Sequence, residues 1–170
     1  MSLNTRLELI IRATQTSPLD LGAAAFSPQI SKTLNLTNGT TAGKADRLFT
    51  DRRTLAASAT ENLDLAASLA DPFGATITFA KVKLLYIVAS AANSNNVVIG
   101  GAGSNGWTTP FGDATDKLVL RPGAFVLLGA GAADATGYAV TASTGDILLV
   151  ANSGSGSSVT YDIAIVGTSA

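Results

Sequence analysis

Apolar and polar residues alternate in short runs along most of this chain, and Gly, Ser, Asn, Asp and Pro separate the runs. A period of two puts one face of a strand into a core and the other into water. In residues 6–14, Leu7, Leu9 and Ile11 share a face, and Glu8 and Arg12 lie on the other. Residues 29–36 alternate through Ile30, Leu34 and Leu36, and Asn38-Gly39 then marks a turn. Residues 45–57 read as extended, and residues 61–67 set Leu63 and Leu65 against Asn62 and Asp64. Asp71-Pro72-Phe73-Gly74 is a turn with Pro and Gly where turn geometry uses them.

The longest strand signal follows, over residues 75–90. Ile77, Phe79, Lys81, Lys83, Leu85 and Ile87 fall on one parity, and Val82, Leu84, Tyr86 and Val88 on the other. The apolar face changes parity near Ala80, which predicts a bulge or bend there. Short strands are predicted at 97–99, 118–121, 124–128, 138–140, 146–151 and 159–166. The Gly-Ser turn at 154–158 is expected to close the last two into a hairpin. Residues 17–25, with Pro18 and three alanines, read as loop or a short turn. Residues 56–70 come nearest to a helix, but Leu63, Leu65 and Leu69 make no helical stripe. The pattern therefore predicts an all-β chain. Residues 46–170 are expected to form a jelly-roll-like antiparallel β-sandwich, with residues 1–45 as a less regular N-terminal arm.

Composition sharpens this picture in one respect. Of the 170 residues, 46% are apolar and only 14% charged, against about 25% charged in a typical domain. A subunit that buries several faces needs fewer charges, so a homo-oligomer is expected. The net charge of −1 gives no electrostatic footprint for nucleic acid. The densest basic cluster is Arg47, Arg52 and Arg53, a candidate contact for an acidic partner or else a solvated strand edge. The chain has no Cys and no His. It lacks disulfides, the usual general base and the commonest metal ligand. No run approaches the roughly 18 apolar residues of a membrane-spanning helix. Residues 7–11 are too short for a signal peptide, and Glu8 and Arg12 interrupt them.

Motifs with chemical potential all have plainer readings. Gly101-Ala102-Gly103-Ser104-Asn105-Gly106 has the spacing of a dinucleotide loop, but Pro110 and Gly112 prevent the helix that would hold a pyrophosphate. Asp113 and Asp116 lack the further acidic residues of a calcium loop and read as a solvated turn. In Asp134-Ala135-Thr136-Gly137, Ala135 breaks the aspartic-protease pattern. The serines have no histidine base, although a Ser–Lys pair stays open. Asn35-Leu36-Thr37 and Asn38-Gly39-Thr40 match the glycosylation pattern by chance. Trp107, Phe111 and Tyr138 are placed in loops, where they either stack on sugars or cap the core. No enzyme activity and no cofactor are expected.

Several stretches resemble small virion structural proteins of tailed bacteriophages. The residues that carry the resemblance are 47–58 (RLFTDRRTLAAS), Leu63-Asp64-Leu65-Ala66, Asp71-Pro72-Phe73-Gly74-Ala75, 95–102 (NNVVIGGA), 134–141 (DATGYAVT), Asp146-Ile147-Leu148-Leu149 and 158–163 (SVTYDI). The resemblance implies a β-sandwich on the capsid surface of the virion, made in the host cytoplasm. It points to a head decoration (cement) protein, trimeric, with the major capsid protein as partner and no role for nucleic acid or membrane. Another virion part (head fibre, neck or tail) and a carbohydrate-binding attachment module are the alternatives. The resemblance carries over no catalytic residue. The contact candidates remain Arg47, Arg52, Arg53 and Trp107.

Overall fold

A computed structural model describes residues 2–170, and every element among them is a strand or a turn. The N-terminal strands are β1 (Thr5–Arg12), β2 (Gln15–Leu19), β3 (Gly22–Phe26), β4 (Gln29–Asn38) and β5 (Lys44–Ala45). The next are β6 (Arg47–Leu55), β7 (Thr60–Asp64), β8 (Leu69–Ala70), β9 (Thr76–Ile77), β10 (Lys81–Ala89) and β11 (Val97–Gly100). β12 (Lys117–Leu120), β13 (Phe125–Gly129), β14 (Tyr138–Ala139), β15 (Ile147–Asn152) and β16 (Val159–Thr168) complete the chain.

Two antiparallel sheets make the body. One has the order β13-β10-β16-β6, with β14 alongside the start of β10, and the other the order β12-β11-β15-β7. Consecutive strands repeatedly cross from one sheet to the other, which is the jelly-roll arrangement of eight strands in two Greek keys. Between the sheets lies the main core. Phe49, Ile87, Tyr161, Ile163 and Ile165 fill it from the first sheet, and Leu63, Val97, Ile99, Leu148 and Val150 from the second.

The expected closing hairpin does not form. β15 pairs with β11 and β7, whereas β16 pairs with β10 and β6 in the opposite sheet. The turn at 154–158 carries the chain across the sandwich. Asn152 organises the crossing: its side-chain amide donates to Ala56 O at 2.9 Å and Ser157 O at 2.8 Å, and its Oδ1 accepts from Asn95 and Gly154. The alanine-rich residues 56–70 hold β7 and tight turns. Asp64 Oδ1 accepts from the Ala66 and Ala67 amides at 2.9 and 3.0 Å and fixes one of these turns.

The parity change near Ala80 has two parts. The ladder breaks after Ile77, and β10 then bulges between Val82 and Leu84. Val82 therefore enters the main core with Leu85 and Ile87, while Leu84 points to the outer face. Lys83, at the bulge, is buried; its ammonium donates to the Asp134 carbonyl at 2.6 Å. Burial pushes its pKa down, and the Asp134 carboxylate opposes that shift.

The largest departure from expectation lies at the N-terminus. Residues 17–25 are not a loop, and the arm is highly regular. Thr5 pairs with Leu36 and Arg12 with Gln29, and Gln15 pairs with Phe26 and Leu19 with Gly22. Each pair of numbers sums to 41, so β1–β2 and β3–β4 form one hairpin ribbon in a single register. The Ala13 amide bonds Pro28 O across the junction, and Thr14 meets Ser27 side chain to side chain. From Thr5 to Leu19 the ribbon is about 45 Å long. Pro18 fits because its position, five residues from the bonded Ala13–Pro28 pair, is a non-hydrogen-bonded one whose amide site faces away from the partner strand.

Candidate functional site

The ribbon is amphipathic, and this follows from its register. Residues directly opposite in an antiparallel pair share a face. One face therefore carries Leu7, Leu34, Leu36, Leu9, Ile11, Ile30, Phe26 and Leu19, with Lys32 opposite Leu9 and Gln15 and Ser17 as its polar members beyond Leu7. The other carries Arg6, Glu8, Asn35, Thr33, Ser31, Arg12, Gln29, Thr14 and Thr16, with Ile10 as its one large apolar residue. Arg6 and Glu8 form an ion pair there, and Arg12 Nε donates to Gln29 at 2.9 Å.

The base of the apolar face has a partner. Leu34 and Leu36, with Leu3 and Leu7, pack on Leu48, Leu84, Tyr86, Leu127 and Val166. Those five project from the outer face of the β13-β10-β16-β6 sheet, so the molecule has a third layer at this end. Beyond Leu7 the packing stops. Phe26 is 70% exposed, Ile30 65% and Leu19 62%, and Ile11 and Leu9 are exposed as well. The outer face of the sheet also continues past the ribbon base, through Val88, Ala164, Thr50 and the exposed Phe125, whose ring lies 6.1 Å from that of Tyr86. Sequence reasoning placed the alternation in β1 and β4 but missed the ribbon tip. The alanines and Pro18 there give no period.

The basic cluster does not form a patch. β6 alternates its side chains between two faces and so separates the arginines. Arg52 lies on the outer face opposite Asp162 and binds that carboxylate through Nε at 2.6 Å and Nη2 at 2.8 Å. The Arg52 hydrogen bond holds the Asp162 carboxyl below its usual range. Arg53 turns the other way, to the open edge between the sheets, and contacts Glu61 of β7 at 2.6 Å and Asp51 at 2.7 Å. Arg47 stays with its neighbour Asp46 at 3.1 Å. Each cation thus already has a carboxylate. Replacing Arg52 with Ala is expected to leave the thermal unfolding midpoint near that of the wild type, because water surrounds this pair.

At the sheet edge, Glu61 joins Arg53 to the core. The Tyr161 hydroxyl donates to Glu61 Oε1 at 2.5 Å, and the Tyr161 ring is fully buried. Burial, reinforced by Glu61, pushes the Tyr161 pKa well above its ordinary value of 10.0. The folded chain therefore keeps this proton at a pH where the unfolded chain has lost it. The tyrosine's contribution to stability is complete below pH 10.0 and declines as pH rises above it, by about 1.4 kcal/mol per pH unit. Urea unfolding at about pH 9 and about pH 11 reads this slope. Tyr161→Phe is expected to flatten it, and an unchanged slope would contradict this assignment.

Trp107 is not available to a partner. It is 2% exposed, its indole N–H donates to Ala139 O at 2.8 Å, and its ring meets Tyr138 edge-on at 6.4 Å. Phe111 and Tyr138 pack against the same core. The three aromatics close one end of the sandwich, with Trp107 buried and Phe111 and Tyr138 partly buried.

The two aspartate motifs are turns, and Asn35-Leu36-Thr37 lies within β4. Asp113 Oδ1 accepts from the amide and hydroxyl of Thr115, and Asp116 accepts from the Asp113 amide. Asp134 Oδ1 accepts from the amides of Thr136 and Gly137. Among the described residues, no three His, Cys, Asp or Glu side chains converge where a metal ion could be held. No family model, curated protein or solved structure matches this chain.

Proposed function

We propose that this chain is a structural subunit of a tailed-phage particle, a decoration protein that binds the major capsid protein on the head surface as a homotrimer. The role is architectural and involves no catalysis. The observation that carries it is the ribbon. A sandwich that projects a long hairpin with five large apolar side chains uncovered on one face is built to be covered. An extended ribbon suits a subunit that must bridge neighbours on a lattice, because it reaches past its own body with its backbone already ordered. The low charge and the resemblance of residues 47–163 to virion proteins support the same reading.

Co-sedimentation tests it. Purified chain is mixed with particles stripped of surface proteins and spun through a density gradient. The expected result is saturable binding at one copy per capsid-lattice subunit. Binding limited to a few copies per particle moves the role to the neck, tail or a head fibre, and no binding overturns the virion reading.

A further inference from the structure

We propose that the apolar face of the ribbon, beyond Leu7, is covered by the outer face of the β13-β10-β16-β6 sheet of a second copy of this chain. The inference rests on the oligomeric part of the reading above and not on capsid binding.

The chain already makes a contact of this kind with itself. At its base the ribbon already packs on this outer face, Leu34 and Leu36 against Leu84, Leu127 and Val166. The same ribbon face continues without a register shift for the whole hairpin, and its large side chains stay apolar through Leu9, Ile11, Ile30, Phe26 and Leu19, with Lys32 as its one charge. The receiving sheet is likewise half used. Phe125 is 58% exposed, and Val88, Ala164 and Tyr86 beside it are only half-buried. One copy therefore has a projecting, largely apolar face without a floor, and an apolar patch without a cover, bordered by the Arg52–Asp162 ion pair. A second copy supplies both.

The polar face argues for direction. Arg6, Glu8, Arg12, Gln29, Ser31 and Thr33 line it, so the ribbon has one side to bury and one to leave in water. A ribbon inserted between two apolar layers would be apolar on both sides. This one is made to lie flat on a surface.

The area is adequate. The uncovered part is roughly 40 Å long and two strands wide. Each copy gives one ribbon and receives one, so both contacts count toward the roughly 800 Å² per partner typical of stable association. Head-to-tail exchange closes into a ring, and reciprocal exchange gives a twofold dimer.

The test uses the full chain, which contains no cysteine, so introduced thiols are unique. Sedimentation at micromolar concentration is expected to give a multiple of the 17.1 kDa protomer mass. Phe26→Asp combined with Ile30→Asp is expected to reduce it to 17.1 kDa with an unchanged far-ultraviolet circular dichroism spectrum. Thr16→Asp with Ser31→Asp, on the polar face, is expected to leave the oligomer intact. An Ile30→Cys sample mixed with a Phe125→Cys sample should form a cross-linked pair with a short bis-maleimide. Ile30→Cys mixed with Leu118→Cys, on the other sheet, should not. A monomeric wild type, or an oligomer indifferent to the Phe26 and Ile30 changes, overturns the inference. A wild-type monomer that still binds particles overturns it while leaving the capsid reading intact. An exchanged oligomer that ignores particles supports it and removes the capsid reading instead.

Discussion

Trp107→Ala is expected to destabilise the chain by about 3–5 kcal/mol, enough to lower the thermal midpoint by on the order of 10 °C. The ring is buried in the main core, and removing it leaves a large cavity at the end of the sandwich. Three contacts go with it: the packing on the core, the edge-on contact with Tyr138, and the N–H bond to Ala139. Ala139 O keeps one donor, the Thr109 hydroxyl at 3.1 Å, so the carbonyl is not orphaned and the cost is mostly packing. Calorimetry on the purified variant measures this. A normal midpoint would mean that the indole is not in the core, and the attachment-module alternative would regain its best residue.

Gly167→Ala is expected to cost at least about 3 kcal/mol or to prevent folding. A Cβ at Gly167 would stand 2.2 Å from Lys81 O and 2.7 Å from the Phe79 ring. The obstacle is sheet backbone, which cannot swing aside as a flexible side chain can. Gly167 pairs with Val82 on one side and Arg47 on the other, next to the bulge that turns Val82 inward. Any relief must therefore move β10 or β16, the two central strands of that sheet. The expected readout is a large loss of soluble protein, or a urea midpoint far below wild type with an unchanged m-value. An unaffected midpoint would mean that the bulge is placed wrongly.

The strands of the sandwich were legible because each buries one face and wets the other. Leu63 and Leu65, Ile163 and Ile165, and Leu148 and Val150 mark their sheets by period alone. The bulge was legible as a parity change, and its position shifted by a few residues because Lys83 lies in it, with a buried stem and an ammonium held by one carbonyl. Which strands pair was not legible in the same way. The Gly-Ser turn before β16 permits a hairpin and a crossing equally, and only the packing of both sheets on one core decides between them. Trp107 sits among Gly, Thr and Pro, so local composition reads as open loop, while its burial comes from β14, more than thirty residues away.

The candidate surface was half legible. β1 and β4 announced themselves by alternation, but the tip at Pro18 and Ala23 to Ala25 is held by its ladder alone and carries small side chains that give no period. The arginines were close in sequence and drawn apart by strand geometry. One residue of spacing puts Arg52 outside and Arg53 at the sheet edge, and each meets a carboxylate more than seven residues distant that no local pattern predicts.

In the role proposed above, this chain covers a particle surface as a repeated structural subunit. Quantitative mass spectrometry of density-purified particles, from the culture whose genome carries this sequence, tests that role. The expected copy number lies in the hundreds, rising and falling in step with the major capsid protein. Absence of the chain from purified particles would contradict it.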